Sequence, residues 1–221
     1  MADDLIRRAD RLSKRVCGHP ERQAEVVPEL IGLLWQADGR DELIAVVDAL
    51  GSAWTDAASL ALLAYADHSD DQVRLAVAMA LPCGVEHDEA EALVAAALGQ
   101  LAGDRCSDVR DWAVFGLGSL LSVDTPAVRR VLRDRLWDSD LDVRLEALVG
   151  LAERRDPGVL DLIRDELEAD SVELLVVDAA RALADPGLVP SLRKLEQAGW
   201  AEHPDLLARA LRTCKSGRQE D

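Results

Sequence analysis

Aromatic residues are scarce in this chain: one Tyr, one Phe and five Trp among 221 residues, 3% of the total. Strands draw on aromatic and β-branched side chains, whereas Ala and Leu, about a third of this sequence, favour helix. The composition therefore points to an all-α protein. Long apolar runs are also missing. The longest stretches without a charge, such as Ala92–Gly103, fall short of the roughly 18 residues that a membrane span needs. Cysteine is sparse and unpaired in sequence. Cys17, Cys83, Cys106 and Cys214 form no C-x-x-C, which argues against a disulfide scaffold or a zinc module and fits a reducing, cytoplasmic setting. The N-terminus is charged from Asp3 onward and shows no apolar signal segment. Positive charge is in deficit: 25 Lys and Arg against 42 Asp and Glu, a formal net charge of −17. Duplex DNA carries about one negative charge per 1.7 Å, so a nucleic-acid partner is not expected.

An internal repeat is present. DDQVRLAVAMALP from Asp70, CSDVRDWAVFGLGSL from Cys106 and DLDVRLEALVGLA from Asp140 align on Val73-Arg74, Val109-Arg110 and Val143-Arg144. Weaker copies extend the register, and Leu50, Leu81, Leu117, Leu151 and Leu183 recur every 31 to 36 residues. A second set of helical patterns alternates with these. Asp156-Pro157-Gly158 and Asp185-Pro186-Gly187 carry N-cap and first-turn signals, as does Asp124-Thr125-Pro126. The spacing predicts A helices over 56–66, 88–102, 126–136, 157–168 and 187–198. It predicts B helices over 41–51, 71–81, 107–121, 141–153 and 172–184. Helices at 4–17 and 21–37 would cap the N-terminal side and one at 205–214 the C-terminal side, with a polar tail from Lys215. No linker interrupts the array. One domain over 1–214 is expected, with caps in 1–40 and 199–214 and repeats over 41–198, because each pair can bury its apolar face only against a neighbour.

The repeated D-x-V-R-x-x-A-x-x-x-L pattern resembles HEAT repeats of the short bacterial type, the HEAT-like repeats of phycobilisome lyases. The resemblance covers about Asp41 to Leu195. It implies a right-handed α-solenoid of five to six helix pairs, with Arg74, Arg110 and Arg144 and the acids Asp71, Asp108 and Asp142 forming a structural ladder between units. It also implies B helices along a concave surface. Projected at 100° per residue, Leu75, Met79, Asp111, Trp112, Phe115, Leu145 and Val149 fall on or beside the outward side of the B helices. They would form a largely apolar strip that binds another protein unless curvature or a terminal helix covers it.

Catalytic motifs are missing: there is no G-x-S-x-G, no phosphate-binding Gly-rich loop and no H-E-x-x-H. None of His19, His68, His87 and His203 is followed by Glu, unlike the His-Glu iron ligands of helical-repeat hydroxylases. The cluster Cys83 to Glu89 could in principle ligate a metal, but an acidic turn at a helix start accounts for it. Arg7, Arg8, Arg11, Lys14 and Arg15 surround the first helix as a solvated face. No cofactor and no metal are expected. A monomeric, non-catalytic scaffold follows, with a basic or basic-rimmed partner favoured by the charge. The alternatives are an acidic inhibitor of a basic nuclease and a bilin lyase. An anisotropy titration with duplex DNA at about 150 mM salt is expected to show no sub-micromolar binding, since even basic proteins reach only about 10⁻⁴–10⁻⁶ M non-specifically there.

Overall fold

A computed structural model describes residues 2–200 and 203–217. Among these residues the regular elements are all helical, with thirteen α-helices and short 3₁₀ and π segments. The chain groups into two compact units, Met1–Val123 and Asp124–Asp221.

The first unit holds α1 (Ala2–Val16), α2 (Gln23–Leu34), α3 (Arg40–Gly51), α4 (Asp56–Leu62), α5 (Asp71–Ala80), α6 (Asp88–Leu101) and α7 (Ser107–Phe115). The odd-numbered helices pack side by side as one layer, the B layer, and α2, α4 and α6 form the other, the A layer. The helix expected at 4–17 is α1, which joins the B layer beside α3. Leu30, Leu34, Leu50, Leu62, Leu81, Leu98 and Leu117 are fully buried between the layers. Three of these are the recurring leucines of the repeat. At about 25 cal/mol per Å² of apolar surface, this burial is the main favourable term.

The helix expected over 107–121 departs from its forecast. Its α-helical hydrogen bonding ends at Phe115, and Gly116–Leu120 forms a π turn closed by the Leu121 amide on the Gly116 carbonyl at 3.1 Å. Gly116 sits against α6, where a Cβ would lie 3.2 Å from both Leu98 Cδ1 and Pro82 Cγ. A second glycine is obligatory in the turn between α5 and α6. Gly84 (φ +76°) lies so close to the Trp54 backbone that any side chain would overlap it, and Trp54 itself takes φ +52°.

The second unit comprises α8 (Pro126–Arg135), α9 (Leu141–Glu153), α10 (Leu160–Leu167), α11 (Leu174–Leu183), α12 (Val189–Gln197) and α13 (Pro204–Ser216). α9, α11 and α13 pack in sequence as its B layer, with α8, α10 and α12 outside them. The Asp-Pro-Gly signals produce 3₁₀ turns, Pro157–Val159 and Pro186–Leu188, that lead into α10 and α12. Asp156 and Asp185 each accept from the amide two residues on, at 3.0 and 2.7 Å. The polar tail expected from Lys215 begins later, because α13 continues through Ser216 to Gly217 in the left-handed conformation. Residues 218–221 of that tail lie outside the described residues. Cys214 is buried on α13 and donates to the Ala180 carbonyl at 3.2 Å, and burial pushes its thiol up to about 11.

The repeated arginines have a different set of partners from the expected one. Each folds back on the carbonyls of the loop that precedes its own helix. Arg74 Nη1 donates to His68 and Ser69, Arg110 Nη1 to Asp104 and Arg105, and Arg144 Nη1 to Asp138. Arg74 also reaches the next repeat, pairing in bidentate fashion with Asp104 at 2.6 and 2.9 Å. Asp71, Asp108 and Asp142 are not the rungs. They occupy the first turns of α5, α7 and α9, where a carboxylate is favoured by the helix dipole. The loop acid does the work instead. Asp104 Oδ1 accepts from the Cys106 amide at 2.9 Å and Asp138 Oδ1 from the Asp140 amide at 3.0 Å, and His68 Nδ1 takes the same place toward Asp70.

The bond from Arg74 is the main influence holding the Asp104 carboxyl below the ordinary aspartate range, against the opposing effect of burial. Its folded pKa is therefore lower than its unfolded one. The stability it contributes is present above the unfolded pKa and is lost as pH falls through the folded value. Arg74→Ala is expected to destabilise by about 3–5 kcal/mol by stranding a buried carboxylate. Chemical denaturation checks this. Asp104→Asn should flatten part of the stability loss seen between the unfolded and folded pKa values.

Candidate functional site

The outward side of the α3–α5–α7 layer is the candidate site. Positions three or four apart on a helix share a face, and on α5 and α7 these positions hold large apolar side chains. Met79 is 41% exposed and Trp112 36%. Leu75 and Phe115 are half-buried beside them. The Trp112 and Phe115 rings meet edge to face, with centroids 5.7 Å apart and planes at 84°. This geometry adds about 0.5–1.5 kcal/mol beyond area burial and holds the indole in place. Asp111 is half-buried on the same helix. α3 adds an acid that the sequence reading passed over. Asp48 remains open to solvent, yet the surrounding protein raises its carboxyl above the usual range through desolvation. Helical periodicity alone could have found it, since Asp48 faces outward between the buried Val47 and Ala49.

Two residues of the expected strip lie elsewhere. Leu145 and Val149 are 5% and 4% exposed and belong to the core of the second unit. The reason is the character of α9. It buries Val143, Leu145, Ala147, Leu148, Val149, Leu151 and Ala152, so it is apolar around most of its circumference and has no free outward stripe. Of the expected strip, the apolar residues that stay on the surface are those of α5 and α7.

The other candidates resolve into local structure. The turn at Cys83–Glu89 is a clamp between A helices. Asp56 at the start of α4 accepts from the Glu86 amide at 2.8 Å and pairs with His87 Nδ1, and this hydrogen bond raises the His87 pKa. Ser59 Oγ donates to the Cys83 carbonyl at 3.2 Å, and burial raises the Cys83 thiol. The same device recurs one repeat later, where Glu91 Oε1 accepts from the amides of Ser122 and Val123 at 2.5 and 3.0 Å. Among the described residues no group of three or more His, Cys, Asp or Glu is placed to hold a metal. The basic residues of α1 are largely neutralised in place. Arg8 pairs with Glu29, Lys14 with Asp10 and Arg15 with Glu25, at 2.6, 2.7 and 2.6 Å.

In the second unit, Asp156 is buried at the start of the turn before α10. It accepts from the Gly158 amide and from Arg129 and Arg133 of α8. Burial raises its carboxyl, and the amide and the two guanidiniums outweigh that and hold it low. Arg129 also forks onto Asp124 at 2.6 Å from each nitrogen and donates to the Arg154 carbonyl at 2.7 Å. This network ties a loop to a helix.

The layered helix pairs and the loop-directed arginines define a helical-repeat protein, and family matching agrees. The model for HEAT repeats matches residues 59–148 and 94–184, more than half of the chain, and the protein belongs to that family. Protein YibA of Escherichia coli K12 is 36% identical over 92 residues, which are 42% of this chain and 32% of that protein; YibA of strain O157:H7 matches equally. The match thus spans about a third of the length of these curated relatives. The crystal structure of Escherichia coli YibA superposes with a TM-score of 0.68 at 21% identity, covering 96% of this chain and 82% of that one. An engineered protein superposes with a TM-score of 0.55 at 21% identity, covering 99% and 93%. Both likenesses concern the fold. The described helices include none long and apolar enough to cross a membrane.

The burial pattern separates two substitutions that a sequence projection treats alike. Leu145→Ala is expected to cost about 2–5 kcal/mol through the cavity it leaves. Met79→Ala, at an exposed site, should stay within about 1 kcal/mol. Urea midpoints for both variants check the assignment.

Proposed function

We propose that the chain is a non-catalytic binding module whose α3–α5–α7 face receives a basic protein partner. The observation that carries this reading is the Trp112–Phe115 pair with Met79, exposed on a chain of net charge −17. HEAT repeats generally serve protein interaction, and an exposed, braced Trp is the residue type most often found at an energetic centre of an interface. Asp48 supports a cationic partner. Its carboxylate is partly desolvated by the surrounding protein and has no ion-pair partner among the described residues, so an incoming Lys or Arg would recover the lost solvation. The surplus of acids would also speed encounter with a basic surface, raising the association rate more than the affinity. A basic nuclease held by an acidic inhibitor is one partner of this kind. The bilin-lyase alternative rests on family resemblance, with no described residue cluster favouring it. A cytoplasmic location belongs to the same proposal.

Trp112→Ala tests the reading. The repeat places Ala76 and Glu146 at the equivalent positions, so the fold does not require an aromatic there. Pull-down from the source cell with the wild-type chain, followed by titration of the captured protein, should show binding weakened by about 2 kcal/mol or more in the variant. The unfolding midpoint should move little. A loss of stability of about 3–5 kcal/mol with unchanged binding would make Trp112 a packing residue and defeat the proposal.

A further inference from the structure

The large apolar side chains that the second unit leaves in water lie along one edge of it. Among its described residues they are Trp137, Leu141 and Leu174, and Trp137 is 83% exposed. Leu141 and Leu174 are the first residues of α9 and α11, which pack side by side, and Trp137 lies in the turn that leads from α8 into α9. The repeat does not ask for these side chains. Counted back from the repeated arginines, the position of Trp137 holds Gly103 and Asp67 in the preceding repeats, and that of Leu141 holds Ser107 and Asp71. An indole and a leucine where the fold accepts Gly, Ser or Asp belong to an interaction surface and not to a packing need. The edge is also stiff. The Asp138 carboxylate accepts from the Asp140 amide at 3.0 Å and from Arg135 at 3.2 Å, and the Asp138 carbonyl accepts from Arg144 at 2.8 Å. The Trp200 indole N–H pins the turn before α11 by donating to the Val172 carbonyl at 3.1 Å. A surface held in this way loses little freedom on binding.

Charge selects the occupant. Residues 136–144 and 168–175 carry Asp138, Asp140, Asp142, Glu168, Asp170 and Glu173 against a single base, Arg144. Part of this charge is spent locally: Asp138 and Asp140 close turns, and Glu168 meets Ser191 and Lys194. Asp142, Asp170 and Glu173 are exposed and enter no ion pair among the described residues, and Glu173 makes no capping bond at the start of α11. The edge thus joins an open indole face, two leucines and three unneutralised carboxylates. A guanidinium suits both of the first and last, since it stacks on an indole and forks onto a carboxylate. We infer that this edge docks an arginine-bearing amphipathic segment of a partner protein, its apolar side chains on Leu141 and Leu174 and its arginines on Trp137 and the free carboxylates. The inference stands on the second unit alone and does not rest on Trp112.

Fluorescence anisotropy of a labelled, helix-forming peptide of Leu, Ala and Arg, with its leucines along one face, tests this inference against the full chain. The wild-type chain is expected to bind it. Trp137→Ala should weaken binding about tenfold or more while leaving the circular dichroism and the unfolding midpoint in place, since the side chain is exposed. Asp142→Asn with Glu173→Gln should weaken binding too, by a factor that shrinks as salt is added. Peptides with Glu for Arg, or Ser for Leu, should not bind, and Lys for Arg should bind less tightly. Trp112→Ala should leave binding unchanged, which keeps this edge distinct from the α3–α5–α7 face. No binding of the arginine peptide through the millimolar range overturns the inference. Equal binding by the Trp137→Ala chain does the same, because the peptide would then be held by net charge alone. So does a loss of binding in Trp112→Ala, which would place the peptide on the other surface.

Discussion

A pair of helices about ten residues long has two apolar stripes, and the two cannot cover each other completely. Each pair therefore depends on its neighbour for the rest of its burial, and the spacing between pairs is fixed by side chains that fill the gap. In the first unit this filling is done by leucines, with Leu50, Leu81 and Leu117 at the same register of α3, α5 and α7 or just past their ends, and Leu30, Leu34, Leu62 and Leu98 on the A helices. Everything polar in the structure is arranged so that the short connections between helices do not spoil that burial. Loop carbonyls and amides close to the core would each cost free energy if left without partners.

The arginine of the Val-Arg pair meets part of that need. It lies just inside the B helix and is long enough to reach back over the helix start to the loop carbonyls. In α5 and α7 one nitrogen serves two of them. The loop acid supplies the complementary acceptor. Asp104 holds the amide two residues on with one oxygen and meets Arg74 of the preceding repeat with both. On the A side, Asp56 and Glu91 each hold the turn that follows the next B helix. These contacts are local to adjacent repeats, so the register propagates through nearest neighbours.

The alternation of helices, the helix starts and the buried leucines were legible in the sequence because they depend on period and capping, which are local properties. The recurrence of the arginines at one register was legible for the same reason. Their partners were not. An Asp two or three residues before the Arg looks like a partner along the chain, but it belongs to the solvated first turn, and Asp104 is reached only by folding the neighbouring repeat alongside. Gly116 and Gly118 fall inside the helix predicted over 107–121, and only the packing of Gly116 against Leu98 goes with the π turn found there. The outward strip was half legible. Periodicity assigns Leu145 and Leu75 to one side of their helices, and whether that side meets water depends on how apolar the whole helix is. Leu145 is covered by packing in the second unit, and Leu75 is only half covered. Asp48 escaped notice because its interest lies in desolvation, a property of the packed layer rather than of the residue.

Cys214 gives the far end of the array a built-in reporter. The thiol sits on the last helix and donates to a carbonyl of α11, and its reactive thiolate is suppressed for as long as the two helices stay packed. Alkylation there must wait for α13 to lift away. The rate at which this cysteine is modified in the native protein therefore measures how often the terminal helix opens, separately from how often the whole chain unfolds.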